Sequence, residues 1–135
     1  MKKSFIMLLL FLPLLAKAEL VVVAGSGSEF SSLTESEVRQ LFSGQLKTVG
    51  GKRVQPLDLP VSSKDRESFY TKLMGRSPEQ MRAYWTRLIF TGQGKPPREV
   101  SSAQELTTLV NSGDYIGYLQ MDAVPDNVKV LYRIQ

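Results

Sequence analysis

Two helices, each with its own start and stop signals, stand back to back between Ser62 and Arg98, in SSKDRESFYTKLMGRSPEQMRAYWTRLIFTGQGKPPR. The first starts at Ser62 or Ser63, carries Phe69, Tyr70, Leu73 and Met74 on one face, and stops near Gly75. In the second, Ser77 is the cap, Pro78 the first helical residue and Gln80 the third, an arrangement that satisfies the free N–H groups of the first turn. Along it Met81, Tyr84, Trp85, Leu88 and Ile89 recur at i, i+3, i+4, i+7 and i+8, which reads as a core stripe rather than an aromatic ligand platform. Such a pair cannot bury its apolar faces alone, so the rest of the chain must supply a surface to receive them.

The flanking segments supply strands. Leu20 to Ala24 is a short apolar, β-branched run that ends in the flexible GSGSEFSS, and reads as a buried strand. Thr34 and Glu37 make a capping box, with Leu33 and Val38 as the hydrophobic staple and Gly44 as the stop. Gly50-Gly51 marks a turn, and Val54 to Leu59 follows as a strand whose Pro56 favours an edge or irregular place. Ser102 and Glu105 cap a helix bearing Leu106, Leu109 and Val110; Tyr115 to Leu119 and Val128 to Ile134 close the chain as strands. In the last of these Val128, Val130, Tyr132 and Ile134 alternate with Lys129 and Arg133, which predicts one buried face. The order gives an α/β fold, a mixed sheet covered by helices, with no internal repeat or boundary.

At the N-terminus Lys2 and Lys3 precede an apolar run from Phe5 to Leu15, and Ala16-Lys17-Ala18 follows. That order predicts a secretory signal peptide over residues 1–18, cleaved after Ala18, and one mature domain over 19–135. The run is too short to span a bilayer, which needs about 20 apolar residues, so no membrane insertion of the mature chain is expected. Leaving out Lys2, Lys3 and Lys17 lowers the formal charge from +4 to +1. Nucleic acid is then a poor partner, since it requires a sustained positive face.

The chain has no histidine and no cysteine. That removes Ser-His-Asp and thiolate catalysis, lipid attachment through cysteine and ordinary zinc sites, and the chain reads as a non-enzyme without metal or cofactor. Asp114, Asp122 and Asp126 lack the spacing of a calcium loop. Asp58, Asp65 and Glu67 offer carboxylates for acid–base work, with no proton relay beside them. What remains is the start of the first helix of the pair, where the hydroxyls of Ser62 and Ser63, backbone N–H groups and the guanidinium of Arg66 can converge on an anion. A plain N-cap also explains the serines. Gly92 and Gly94, in TGQGKPPR, permit close backbone approach, and the prolines stiffen the loop; the Gly-Lys-Ser/Thr of a nucleotide loop is missing.

Several segments together resemble one lobe of the phosphate-binding proteins of phosphate ABC transporters, in the type 2 periplasmic-binding-protein superfamily. They are LVVVAGSGSEFSSLTESEVRQLFSGQ, VQPLDLPVSSKDRESFY, the Ile116-Gly117-Tyr118 strand with VKVL, and YWTRLIFTGQGKPPRE, which is similar to small single-lobe members. The resemblance spans nearly all of residues 19–135. It implies a periplasmic substrate-binding role in phosphate transport, with phosphate or another oxyanion held at a helix N-terminus by a Ser-Gly-Thr segment followed by Arg. Here Ser63 and Arg66 keep the ends of that motif, while Lys64 and Asp65 replace its middle. The residues implied are Ser62, Ser63 and Arg66, with Lys64 and the backbone at Gly92 and Gly94 as further contacts. One lobe supplies one wall of a cleft, so a homodimer or an envelope protein partner would complete it; alternatively the lobe has lost phosphate and serves as an interaction or sensory accessory module.

Overall fold

The computed structural model describes residues 19–135; the expected leader, residues 1–18, lies outside them. Its centre is β1 (Leu20–Gly25), buried at every position. An all-apolar run of this length suits a strand covered on both faces. It lies between β6 (Tyr115–Gln120) and β7 (Val128–Arg133), antiparallel to both. Beyond β6 the sheet turns parallel through β4 (Gln55–Asp58) and the two-residue β5 (Arg98–Glu99), giving the order β5-β4-β6-β1-β7. A small hairpin, β2 (Thr48–Val49) with β3 (Lys52–Arg53), stands apart from this sheet.

The helices start where the local signals place them. Thr34 and Ser77 make full capping boxes on α1 (Glu35–Phe42) and α3 (Pro78–Phe90), and Ser102 caps α4 (Ala103–Val110). Of the two candidate serines, Ser63 caps α2 (Lys64–Met74), and Gly75 closes that helix with φ 63°. Helix α3 docks on the end of α1: the Tyr84 hydroxyl donates to the Ser43 carbonyl at 2.6 Å. Gly44, at φ 77°, makes the turn there, and a Cβ on it would stand 3.3 Å from the Trp85 ring. On the other face of the sheet Gly117 lets α4 come close, since a Cβ there would meet Leu106 at 2.7 Å. No helix among the described residues is long and apolar enough to cross a membrane.

Three expectations change. The α3 stripe fades along the helix: Met81, Tyr84 and Trp85 are buried and Leu88 is half-buried, but Ile89 is 56% exposed and Phe90 92%. Leu88 still packs against the core, with Gly94 beside it, while the side chains of Ile89 and Phe90 turn to the surface. Pro56 lies in an inner strand, not an edge. The Gln55 N–H points to β6, where it donates to the Asp114 carbonyl, so the Pro56 nitrogen faces β5, whose pairing begins only at Leu57. The missing donor therefore falls just ahead of the first residue of β5 and no ladder bond is lost. In β7 the alternation breaks at Leu131. Val22 pairs with Tyr132 and Val23 with Val130, so Leu131 is the extra residue of a bulge. Its carbonyl accepts the Leu33 N–H at 3.0 Å. The buried residues are accordingly Val128, Leu131 and Ile134.

Candidate oxyanion site at the start of helix α2

Strand β4 delivers its last residues to the place where ligands commonly bind in open α/β sheets, outside the carboxyl ends of parallel strands. After Asp58 the chain turns through Leu59, Pro60 and Val61 into the N-terminus of α2. The Ser63 hydroxyl accepts the Arg66 N–H at 3.3 Å, and the N–H groups of Lys64 and Asp65 precede any carbonyl of the helix that could accept them. Arg66 folds back over the strand end. Its Nη1 donates to the Leu59 carbonyl at 3.0 Å, and its guanidinium lies 3.9 Å from both Asp58 and Glu99 carboxylates. Glu99 in turn accepts the Val61 N–H at 2.9 Å, which fixes it beside the helix start.

Beneath the guanidinium lies a buried polar cluster. The Tyr70 hydroxyl donates to the Asp58 carboxylate at 2.7 Å, and the Tyr118 hydroxyl donates to it at 2.9 Å while accepting the Leu59 N–H at 3.2 Å. Burial pushes the Asp58 carboxyl above its ordinary value of 3.8, although the Arg66 charge and the two hydroxyls pull the other way. Burial and the neighbouring Asp58 raise both tyrosines, so they remain donors. Phe69 stacks on the Tyr118 ring at 3.8 Å between centroids, and Phe42 meets Phe69 edge-on. The carboxylate thus holds Arg66 from below on a rigid aromatic base.

Ser62, Ser63 and Arg66 line a single cavity of about 380 Å³. The carboxylate of Glu67 lines it as well, and the facing wall from α3 and its loop mixes apolar Met81, Trp85, Ile89 and Pro96 with polar Arg82 and Thr86. Lys64 is exposed and does not line it. Gly92 and Gly94 line a different cavity, at the opposite ends of the strands. Asp65 accepts from the Gln120 amide at 2.9 Å, which ties it to β6. Asp58, Tyr70, Glu99 and Tyr118 were not among the expected contacts. Tyr70 reads in sequence as one more core residue, and Asp58 and Tyr118 meet across 60 positions. No spacing rule joins them; strand pairing does.

No protein-family model matches the chain, and no curated protein does. Solved structures do. An ABC-type phosphate transport receptor from Vibrio cholerae superposes with a TM-score of 0.64 at 21% identity, over 84% of this chain and 45% of the receptor. The fold is that of one part of this receptor. A Clostridium perfringens chain described as a phosphate ABC transporter substrate-binding protein with bound phosphate gives the same TM-score of 0.64 at 13% identity. It is matched over 84% of this chain and 44% of its own. The lobe therefore spans less than half the length of either structure.

Proposed function

We propose that residues 19–135 act as a periplasmic, non-catalytic receptor lobe that contacts phosphate or a related oxyanion at the start of α2, after export by a leader cleaved behind Ala18. One observation carries this reading: Ser62, Ser63 and Arg66 share a cavity at the carboxyl end of β4, in a fold also found in phosphate receptors. A guanidinium has five N–H donors, and Arg66 commits one of them to a hydrogen bond. The others, with the Ser62 hydroxyl and the first-turn N–H groups, are what an oxyanion would meet. Glu99 beside Arg66 sets a condition on the guest. A carboxylate repels a bare dianion but accepts from an anion that keeps a hydroxyl proton, so hydrogen phosphate is favoured over sulfate. For this lobe by itself, affinity is expected to be about millimolar, roughly 4 kcal/mol. Calorimetric titration checks this: phosphate should bind saturably, sulfate should not, and Arg66→Ala should abolish the heat. Equal binding of the two anions, or binding untouched by Arg66→Ala, would count against it.

A second reading is favoured by the same contacts. Two carboxylates already neutralise Arg66, and exposed apolar Val61 and Ile89 rim the cavity. On this reading an envelope protein or a second copy of the chain covers the site and phosphate plays no part. Sedimentation with and without phosphate, together with capture from periplasmic extract, separates the two. A stoichiometric partner whose binding ignores phosphate selects the second.

A further inference from the structure

We propose a second anion site, at the opposite end of the sheet, that takes a small organic polyanion bearing two or more phosphate or carboxylate groups. A cavity of about 730 Å³ opens there, bounded by the first residues of β4, β5 and β6. Four cations stand on its wall: Lys47 ahead of the hairpin, Arg53 at the end of β3, Lys95 in the loop after α3, and Arg98 opening β5. No carboxylate lines it. Among the described residues none of the four lies within ion-pair distance of an acidic group, in contrast to Arg66. The carboxyl of Glu105 is lowered first by its hydrogen bonds from Ser101 and also by the Arg98 charge, so Glu105 offsets part of Arg98 from outside the cavity, whose own lining carries only positive charge.

The walls that carry these charges are held in place. The Gln93 N–H donates to the Leu88 carbonyl at 2.9 Å and the Gly92 N–H to Ile89 at 3.1 Å, which anchors the loop before its two prolines. The Val54 N–H donates to the Lys47 carbonyl at 2.9 Å, closing the base of the hairpin. Leu41 and Val54 give the floor an apolar surface, and the Tyr115 hydroxyl lies 3.5 Å from the Arg98 guanidinium. Cavities of about 300–1,000 Å³ with an apolar floor and a few fixed polar groups are the usual form of small-ligand sites. Because the cations come from separate segments of chain, a single phosphate meets few of them at once. A polyanion with spaced charges engages several and relieves their mutual repulsion, and its carbon portion covers the floor.

Calorimetry on the purified protein with tripolyphosphate and with citrate tests this, at about 20 mM and about 150 mM salt because exposed charges are screened over that range. Saturable binding of either probe is expected at low salt, weaker at high salt; which probe binds better tells phosphate from carboxylate groups. Lys95→Ala with Arg98→Ala, and separately Lys47→Ala with Arg53→Ala, should each weaken it by about tenfold or more, as loss of charge-assisted contacts does. All four positions are exposed, so unchanged thermal melting of the variants will show that the fold is kept. Arg66→Ala should leave this affinity within about twofold, since distant sites act independently. Absence of saturable binding by both probes, affinity unchanged in both double variants, or loss in Arg66→Ala would overturn the proposal. So would binding of a penta-glutamate peptide where both small probes fail, because the cavity would then serve a protein.

Discussion

Asp58 decides how the candidate site responds to pH. Its carboxyl is buried and raised above 3.8, so between the unfolded and folded values the native state holds more protons than the unfolded chain. Stability from this group is full below the unfolded value and is lost as pH rises through the folded one. Urea unfolding from pH 4 to pH 7 should show that decline, and Asp58→Asn should flatten it; equal slopes in the two proteins would remove Asp58 as the cause. Tyr118 gives a sharper test of the same cluster. In Tyr118→Phe the Leu59 N–H loses the acceptor it has at 3.2 Å and Asp58 loses a donor. An unsatisfied buried group costs about 1–3 kcal/mol, and urea midpoints at constant slope will measure it. Asp58 keeps the Tyr70 hydroxyl and Arg66 keeps the Leu59 carbonyl in that variant, so the loss should appear in stability and leave Arg66 in place.

At the scale of elements, the parts governed by neighbours in sequence were legible and the parts governed by pairing across the sheet were not. The helix starts at Thr34, Ser63, Ser77 and Ser102 need only a hydroxyl and an N–H three residues on. Ser77→Ala should therefore cost about 1 kcal/mol by thermal or urea unfolding. A loss near zero would mean that tertiary docking of Tyr84 and Trp85, not the cap, fixes α3. The bulge at Leu131 could not be read, since it answers to the loop at Leu33. Nor could the late start of β5 at Arg98, which makes an inner position harmless for Pro56. The site divides the same way. Ser63 and Arg66 sit within one helical turn and were visible, whereas Glu99 and Tyr118 reach Arg66 and Asp58 only because β4 lies between β5 and β6.

For the whole molecule, the decisive facts are that the described lobe spans less than half of either compared structure, and that its two ends differ in charge. At the carboxyl ends of the parallel strands, Arg66 is matched by Asp58 and Glu99; at the other end four cations face a cavity without a carboxylate. An oxyanion that binds the first end must compete with built-in acids, which explains why weak and proton-selective recognition is expected there. The most direct measurement is a phosphate titration followed by backbone amide NMR of the ¹⁵N-labelled protein. Saturable shifts centred on Ser62 to Arg66 and on Val61, absent in Arg66→Ala, are the expected result. Amides at α2 that stay still up to tens of millimolar phosphate, or shifts confined to other parts of the lobe, would contradict it.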